Sequence, residues 1–167
     1  VIRILHYSKK WKDAILFFNA KVKDKFPKDE IYYYSIDQVA GCYYSLKEYE
    51  QAAYLFTKVV NHSEDRKKSA FNSFDFCVSK DFDGKTLIKT IDDKKDYQFV
   101  KSLKGFSDEL KSMINLIELD ANDNRVEILF VRSINELESQ MLTKNYGLNE
   151  KIIPYFTEGN NLKKLLV

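Results

Sequence analysis

The sequence predicts an all-α chain of short antiparallel helix-turn-helix units stacked in series, followed by a C-terminal extension in which one short strand is expected. Three observations carry this. Ile36, Val39, Ala40, Tyr43 and Leu46 keep the i, i+3, i+4, i+7 spacing of a helix with one buried stripe, and Tyr49, Ala52, Ala53, Phe56, Val59 and Val60 begin a second stripe after only Lys47-Glu48. A connection that short forces the two helices into an antiparallel hairpin. The pattern also recurs upstream: Trp11-Lys12-Asp13-Ala14 and Phe18 repeat Tyr49-Glu50-Gln51-Ala52 and Phe56 at an offset of 38 residues, a period that marks stacked helical arrays. Finally, only 2 Pro and 5 Gly occur in 167 residues, too few turn markers for an all-β sandwich.

Taken in order, the chain opens at Val1-Ile2-Arg3-Ile4-Leu5, already in a helical pattern and without an initiator Met, so the reading expects a fragment whose first helix is cut short. The Trp11 helix follows, and then the Ile36 and Tyr49 helices. Arg66 to Lys80 forms another stripe through Ala70, Phe74, Cys77 and Val78, with Cys77 echoing Cys42. Asp81-Phe82-Asp83-Gly84 breaks the chain, and Leu87, Ile88 and Ile91 predict a short, degraded second helix. A further pair, Tyr97 to Lys104 and Ser107 to Leu119, is joined at Leu103-Lys104-Gly105-Phe106, an echo of Leu46-Lys47-Glu48-Tyr49. The array thus decays toward its end, as terminal repeats do when they must present a more polar outer face.

Residues 120–167 form the extension, and 1–119 the repeat domain. Arg125 to Val131 is short and β-branched, and Ser133-Ile134-Asn135-Glu136 after it has the Ser-x-x-Glu form of a capping box. A strand followed by a helix is therefore expected, with a continuous helix from Asn124 as the competing reading. Gly147, Pro154 and Gly159 punctuate a tail read as two short helices.

Composition narrows the function classes. Apolar residues make up 44% and charged residues 31%, and the formal net charge is +2. Lysines alternate with acids in the manner of solvated helix faces, so a nucleic-acid partner, which needs a concentrated basic patch, is not expected. No run of about 18 apolar residues is present, so no membrane span is expected, and a cytoplasmic protein is the working assumption. Cys42 and Cys77 stand in apolar patterns without a CxxC, which reads as two buried thiols.

Chemistry is sparse. His6 and His62 have no partner at metal-ligand spacing, so no metal is expected. Asp120-Ala121-Asn122-Asp123-Asn124 opens like a calcium loop, but Arg125 stands where Gly is required and Val131 where the bidentate Glu is required, so it reads as a turn. Phosphate-loop, dinucleotide and nucleophile-elbow motifs are missing, and with them any expected cofactor or catalytic residue. Asn61-His62-Ser63 is a formal glycosylation sequon that carries little weight.

The residues quoted above resemble the tetratricopeptide repeat family, whose units of about 34 residues are helix-turn-helix hairpins. Tyr43, Leu46, Tyr49, Ala52 and Phe56 fall on the family's packing positions, Ile36, Val39 and Ala40 replace others conservatively, and Trp11, Ala14 and Phe18 match the preceding repeat. The resemblance is good to about Val60, weaker to Lys80 and faint to Leu119, and it amounts to three to four degenerate repeats. It implies a right-handed α-solenoid that acts as a non-catalytic scaffold, holding a peptide or helix of another protein on its concave face. The family's inner-face positions fall on Arg3, His6 and Tyr7, on Tyr34, Asp37, Gly41 and Tyr44, and on Asn72, Phe76 and Lys80. Asp37 and Gly41 occupy two places where the chaperone-binding branch uses Lys and Asn, so that carboxylate clamp is not implied. The alternative is the helical-repeat portion of a larger enzyme or transport-associated protein whose active part lies elsewhere. Seven of the 11 tyrosines lie between Tyr32 and Tyr54. Tyr43 and Tyr49 are expected in the packing, while for Tyr34 and Tyr44 packing between helices and exposure on the concave face both stay open.

Overall fold

The structure, a computed structural model, describes residues 1–78, 88–105 and 109–143, and within them every regular element is an α-helix. The helices are α1 (Ile2–Tyr7), α2 (Trp11–Lys21), α3 (Glu30–Ser45), α4 (Tyr49–His62), α5 (Lys67–Cys77), α6 (Ile91–Leu103), α7 (Glu109–Leu119) and α8 (Arg125–Thr143). They fall into two compact units, Val1–Phe106 and Ser107–Val167.

In the first unit the main packing runs between neighbours, α1 on α2, α2 on α3, α3 on α4 and α4 on α5, with α1 also against α3 and α4 against α6. The 38-residue offset is visible in atomic detail. Ala14 and Ala52 are both fully buried and Phe18 and Phe56 are each 4% exposed, so residues at this offset are alike in burial. The two hairpin turns match as well. Lys9 (φ 58°) and Lys47 (φ 64°) both take the left-handed conformation. Lys9 N–H donates to the His6 carbonyl and Lys10 N–H to that of Leu5, while Lys47 N–H donates to Tyr44 and Glu48 N–H to Tyr43. These paired bonds satisfy the last carbonyls of α1 and α3 in the Schellman manner, with lysine where glycine is usual.

Three expectations change. Over the described part of the interval read as a degraded helix followed by a new one at Tyr97, residues 88–104, one helix, α6, runs from Ile91 to Leu103. Thr90 starts it: its hydroxyl accepts from Asp93 N–H at 3.0 Å and Asp93 Oδ2 accepts from Thr90 N–H at 3.0 Å, a reciprocal capping box. Residues 79–87, including Lys80 and Leu87, lie outside the described residues. Tyr49, expected in the packing, is 42% exposed, its ring 5.4 Å from that of Tyr44.

The third change is in the second unit, where Arg125 to Val131 is helix, not strand. Asp123 Oδ1 accepts from Arg125 N–H at 3.0 Å and nucleates α8, which runs through the expected capping box without a break. Ser133 Oγ, cast as an N-cap, is buried with no hydrogen-bond partner among the described residues. A lone strand would leave its backbone polar groups unpaired, whereas a helix satisfies its own. Leu129 is buried, and Arg132 reaches Glu109 of α7 at 2.9 Å. The Asp120–Asn124 stretch is a turn, with Asp120 Oδ1 accepting from Asn122 N–H at 3.1 Å. The tail around Gly147, Pro154 and Gly159 lies outside the described residues.

Candidate functional site

A six-residue helix has no stability of its own, so α1 is placed by what it packs on. Ile2 is buried and Leu5 lies against the core, which turns Arg3, His6 and Tyr7 to another face. The His6 ring stacks on Tyr7 at 5.6 Å, and the Arg3 guanidinium lies 5.6 Å from the Tyr7 centroid. His6 Nδ1 is 2.9 Å from Gln38 Oε1 of α3. The imidazole is seated directly over Gly41: a Cβ there would stand 2.9 Å from His6 Cε1 and 3.2 Å from Nε2. Glycine at this position therefore permits the close approach of α1 and α3.

One turn back along α3, Asp37 is 7% exposed and accepts two hydrogen bonds on Oδ2, from Arg66 Nε at 3.0 Å and Nη2 at 2.6 Å. The Arg66 guanidinium lies 5.2 Å from the Tyr34 ring centroid. Hydrogen bonding to Asp37 raises the Arg66 pKa above its already high value, so the cation is permanent. The turn between α4 and α5 is held to α3 at a second point. Ser63 Oγ donates to Glu30 Oε2 at 2.7 Å, Glu64 N–H donates to Glu30 Oε1 at 2.6 Å, and these bonds hold the Glu30 carboxyl below the usual range. Ser63 Oγ in turn accepts from Arg66 N–H at 3.0 Å. Glu30 and Asp37 are seven residues apart and so share one face of α3. That face orients Arg66.

The ten expected site residues divide accordingly. Arg3, His6, Tyr7 and Gly41 come together at the junction of α1 and α3, and Tyr34 and Asp37 meet around Arg66. Tyr44 stands at the far end of α3, 41% exposed, beside Tyr49. Asn72 and Phe76 are both exposed on α5, Phe76 at 71%, and Lys80 lies outside the described residues. Gln38 and Arg66 were missed. Both belong to the strip only by pairing across more than two dozen residues of sequence, and neither carries a local signal.

A second polar constellation joins α4 to α6. Lys58 Nζ lies 2.5 Å from Asp93 Oδ1 and 2.8 Å from Asp96 Oδ2, Tyr54 Oη donates to Asp93 Oδ1 at 2.9 Å, and His62 Nε2 is 3.2 Å from Asp96 Oδ2. Burial works against charge on Asp93, but the Lys58 ammonium and hydrogen bonding from Thr90 and Tyr54 outweigh it and hold the carboxyl far below the usual range. Burial and the hydrogen bond to Asp93 push the Tyr54 phenol up to about 12. Each acid here is matched by a cation or a donor, which is how a buried structural tie is built. The Asn61 amide of the sequon is engaged too, donating to the carbonyls of Thr57 at 2.8 Å and Asp96 at 3.2 Å.

Burial pushes the Cys42 thiol up to about 11 and that of Cys77 to about 12, so neither is a nucleophile near neutral pH. Among the described residues no helix is long and apolar enough to cross a membrane. No family model, curated protein or solved structure matches this chain, so its function rests on the geometry of the α1–α3 strip.

Proposed function

We propose that the first unit is a tetratricopeptide-like helical array that works as a non-catalytic scaffold and holds a peptide or helix of another protein against the strip formed by α1, α3 and the α4–α5 turn. The observation that carries this reading is the continuity of the strip. Arg3 and Tyr7 at one end and Tyr34 with Arg66 at the other are linked through His6 on Gly41 and through Asp37. Tyr7 is 69% exposed, and the Arg66 side chain is 32% exposed. Tyrosine and arginine are the side chains that most often dominate protein interfaces, because each combines a large apolar surface with polar groups at its end. Here their orientations are preset by packing, which lowers the entropic cost of binding.

The test is selection of a displayed random-peptide library on the immobilised protein, beside the Tyr7→Ala/Tyr34→Ala double variant. Enrichment on the wild type that is lost on a double variant with unchanged helical circular dichroism supports the strip. Equal enrichment on both proteins places the binding surface elsewhere.

A further inference from the structure

We infer that Arg66 sets the specificity of this strip, and that the partner it takes is an acidic peptide whose Asp or Glu side chain docks on the outer edge of the guanidinium; this deepens the scaffold reading and rests on it. Arg66 has five N–H donors in one plane. Nε and Nη2 are turned inward onto a single oxygen of Asp37, and among the described residues Nη1 has no partner. The Asp37 pair fixes the plane of the fork, and the Tyr34 ring backs it at 5.2 Å. A cation held this way loses little freedom on binding, and its remaining edge matches the two oxygens of a carboxylate.

The charges along the strip point to the same ligand. Asp37 is buried and already matched by Arg66, whereas Arg3 is exposed and adds a second positive charge beside Tyr7. Glu64, in the same turn as Arg66, is engaged by Lys67 at 3.4 Å. A carboxylate approaching this face therefore meets the exposed Arg3, the partly exposed edge of Arg66 and the rings of Tyr7 and Tyr34, where an apolar residue next to the acid would lie.

The experiment selects a displayed random-peptide library on the wild-type protein and on Arg66→Gln, which keeps length and polarity but removes the charge. The expected result is enrichment of Asp and Glu among wild-type binders, lost on Arg66→Gln while aromatic or aliphatic enrichment persists. A synthetic wild-type binder with its acid changed to the amide should bind roughly tenfold more weakly in fluorescence anisotropy, the scale of a hydrogen bond to a charged group. Arg66→Lys, which keeps the charge but not the fork, should recover part of that loss. Wild-type binders without acidic bias, or with a bias that survives Arg66→Gln, overturn the inference and leave the scaffold reading standing. No enrichment on the wild type overturns both. Should Arg66→Gln lose helical circular dichroism, the acid-to-amide comparison on the wild type decides alone.

Discussion

Replacing Gly41 with alanine tests whether the imidazole of His6, rather than open space, occupies the middle of the strip. Within a helix this change should stabilise, because alanine loses less conformational freedom on folding, by about 0.5–1 kcal/mol. At Gly41 the new Cβ would stand 2.9 Å from His6 Cε1, whereas nonbonded carbons prefer about 3.5–4.0 Å. Something must therefore move by more than half an ångström. The ring cannot swing away without giving up its 2.9 Å bond to Gln38 and its stacking on Tyr7. Alternatively, α1 as a whole must withdraw. Overpacking of this kind costs roughly 1–3 kcal/mol. The net effect of Gly41→Ala is then a destabilisation of up to about 2 kcal/mol, in place of the gain expected of an ordinary helical glycine.

The double-mutant cycle with His6→Ala isolates the contact. His6→Ala alone costs about 1–2 kcal/mol, because Gln38, 6% exposed, is left without its partner. In that background the clash is gone, and Gly41→Ala should stabilise by about 0.5–1 kcal/mol. The coupling between the two sites should therefore be about 1 kcal/mol or more. Urea unfolding of the four proteins, followed by far-ultraviolet circular dichroism, measures it. The single tryptophan, Trp11, begins the helix that follows α1 and offers a fluorescence probe close to the affected junction. A coupling below about 0.3 kcal/mol, with Gly41→Ala equally stabilising in both backgrounds, would refute the seating of His6 on Gly41.

Other perturbations follow from the same contacts. Lys47→Gly relieves a left-handed lysine and should raise stability by about 1 kcal/mol in urea unfolding, while the same change at Lys12, inside α2, should lower it by a similar amount. Asp93→Asn removes the nearest partner of Lys58 and should cost about 2 kcal/mol, read as a shift in the urea midpoint. Because the folded Asp93 carboxyl titrates below its unfolded value, the folded chain binds fewer protons there. Its contribution is thus fully present above about pH 5, begins to fall as pH drops through the ordinary carboxylate range, and is gone only below the depressed pKa of the folded carboxyl. Thermal midpoints measured between pH 7 and pH 3 should fall on the acid side, less steeply in Asp93→Asn, and parallel curves would remove Asp93 from the account.

How much of this was legible in sequence depended on what each helix buries. The helices of the first two hairpins bury apolar stripes, so Ala14 and Phe18, and Ala52 and Phe56, announced both the helices and their 38-residue offset. The turns between them were legible by length alone, since Lys9 and Lys47 sit where glycine would have signalled the left-handed cap. α6 was misread because its inward face is charged: Asp93, Lys95 and Asp96 are buried, and an apolar period cannot register a face held by ion pairs. In α8, a β-branched run imitated a strand, and only the Asp123 cap and the packing on α7 decide for helix.

The site was half legible for a related reason. Arg3, Tyr7, Tyr34 and Asp37 could be named because the repeat-family resemblance implies inner-face positions for them. Arg66 lies in Glu64-Asp65-Arg66-Lys67-Lys68, two acids followed by three bases, a charge run that is ordinarily a solvated surface. What distinguishes it from its neighbours is the buried acceptor 29 residues earlier. Pairing with Asp37 turns one cation of that run into a fixed fork, while Lys67 remains a surface charge 3.4 Å from Glu64. Helical periodicity reports burial along one element, whereas the fixed orientation of Arg66 comes from a polar bond between elements. A charged turn next to a repeat helix should therefore be judged by whether that helix presents a buried acid toward it. On that criterion Arg66, and not the more conspicuous tyrosines, is the side chain that the proposed scaffold reading makes responsible for discrimination between partners.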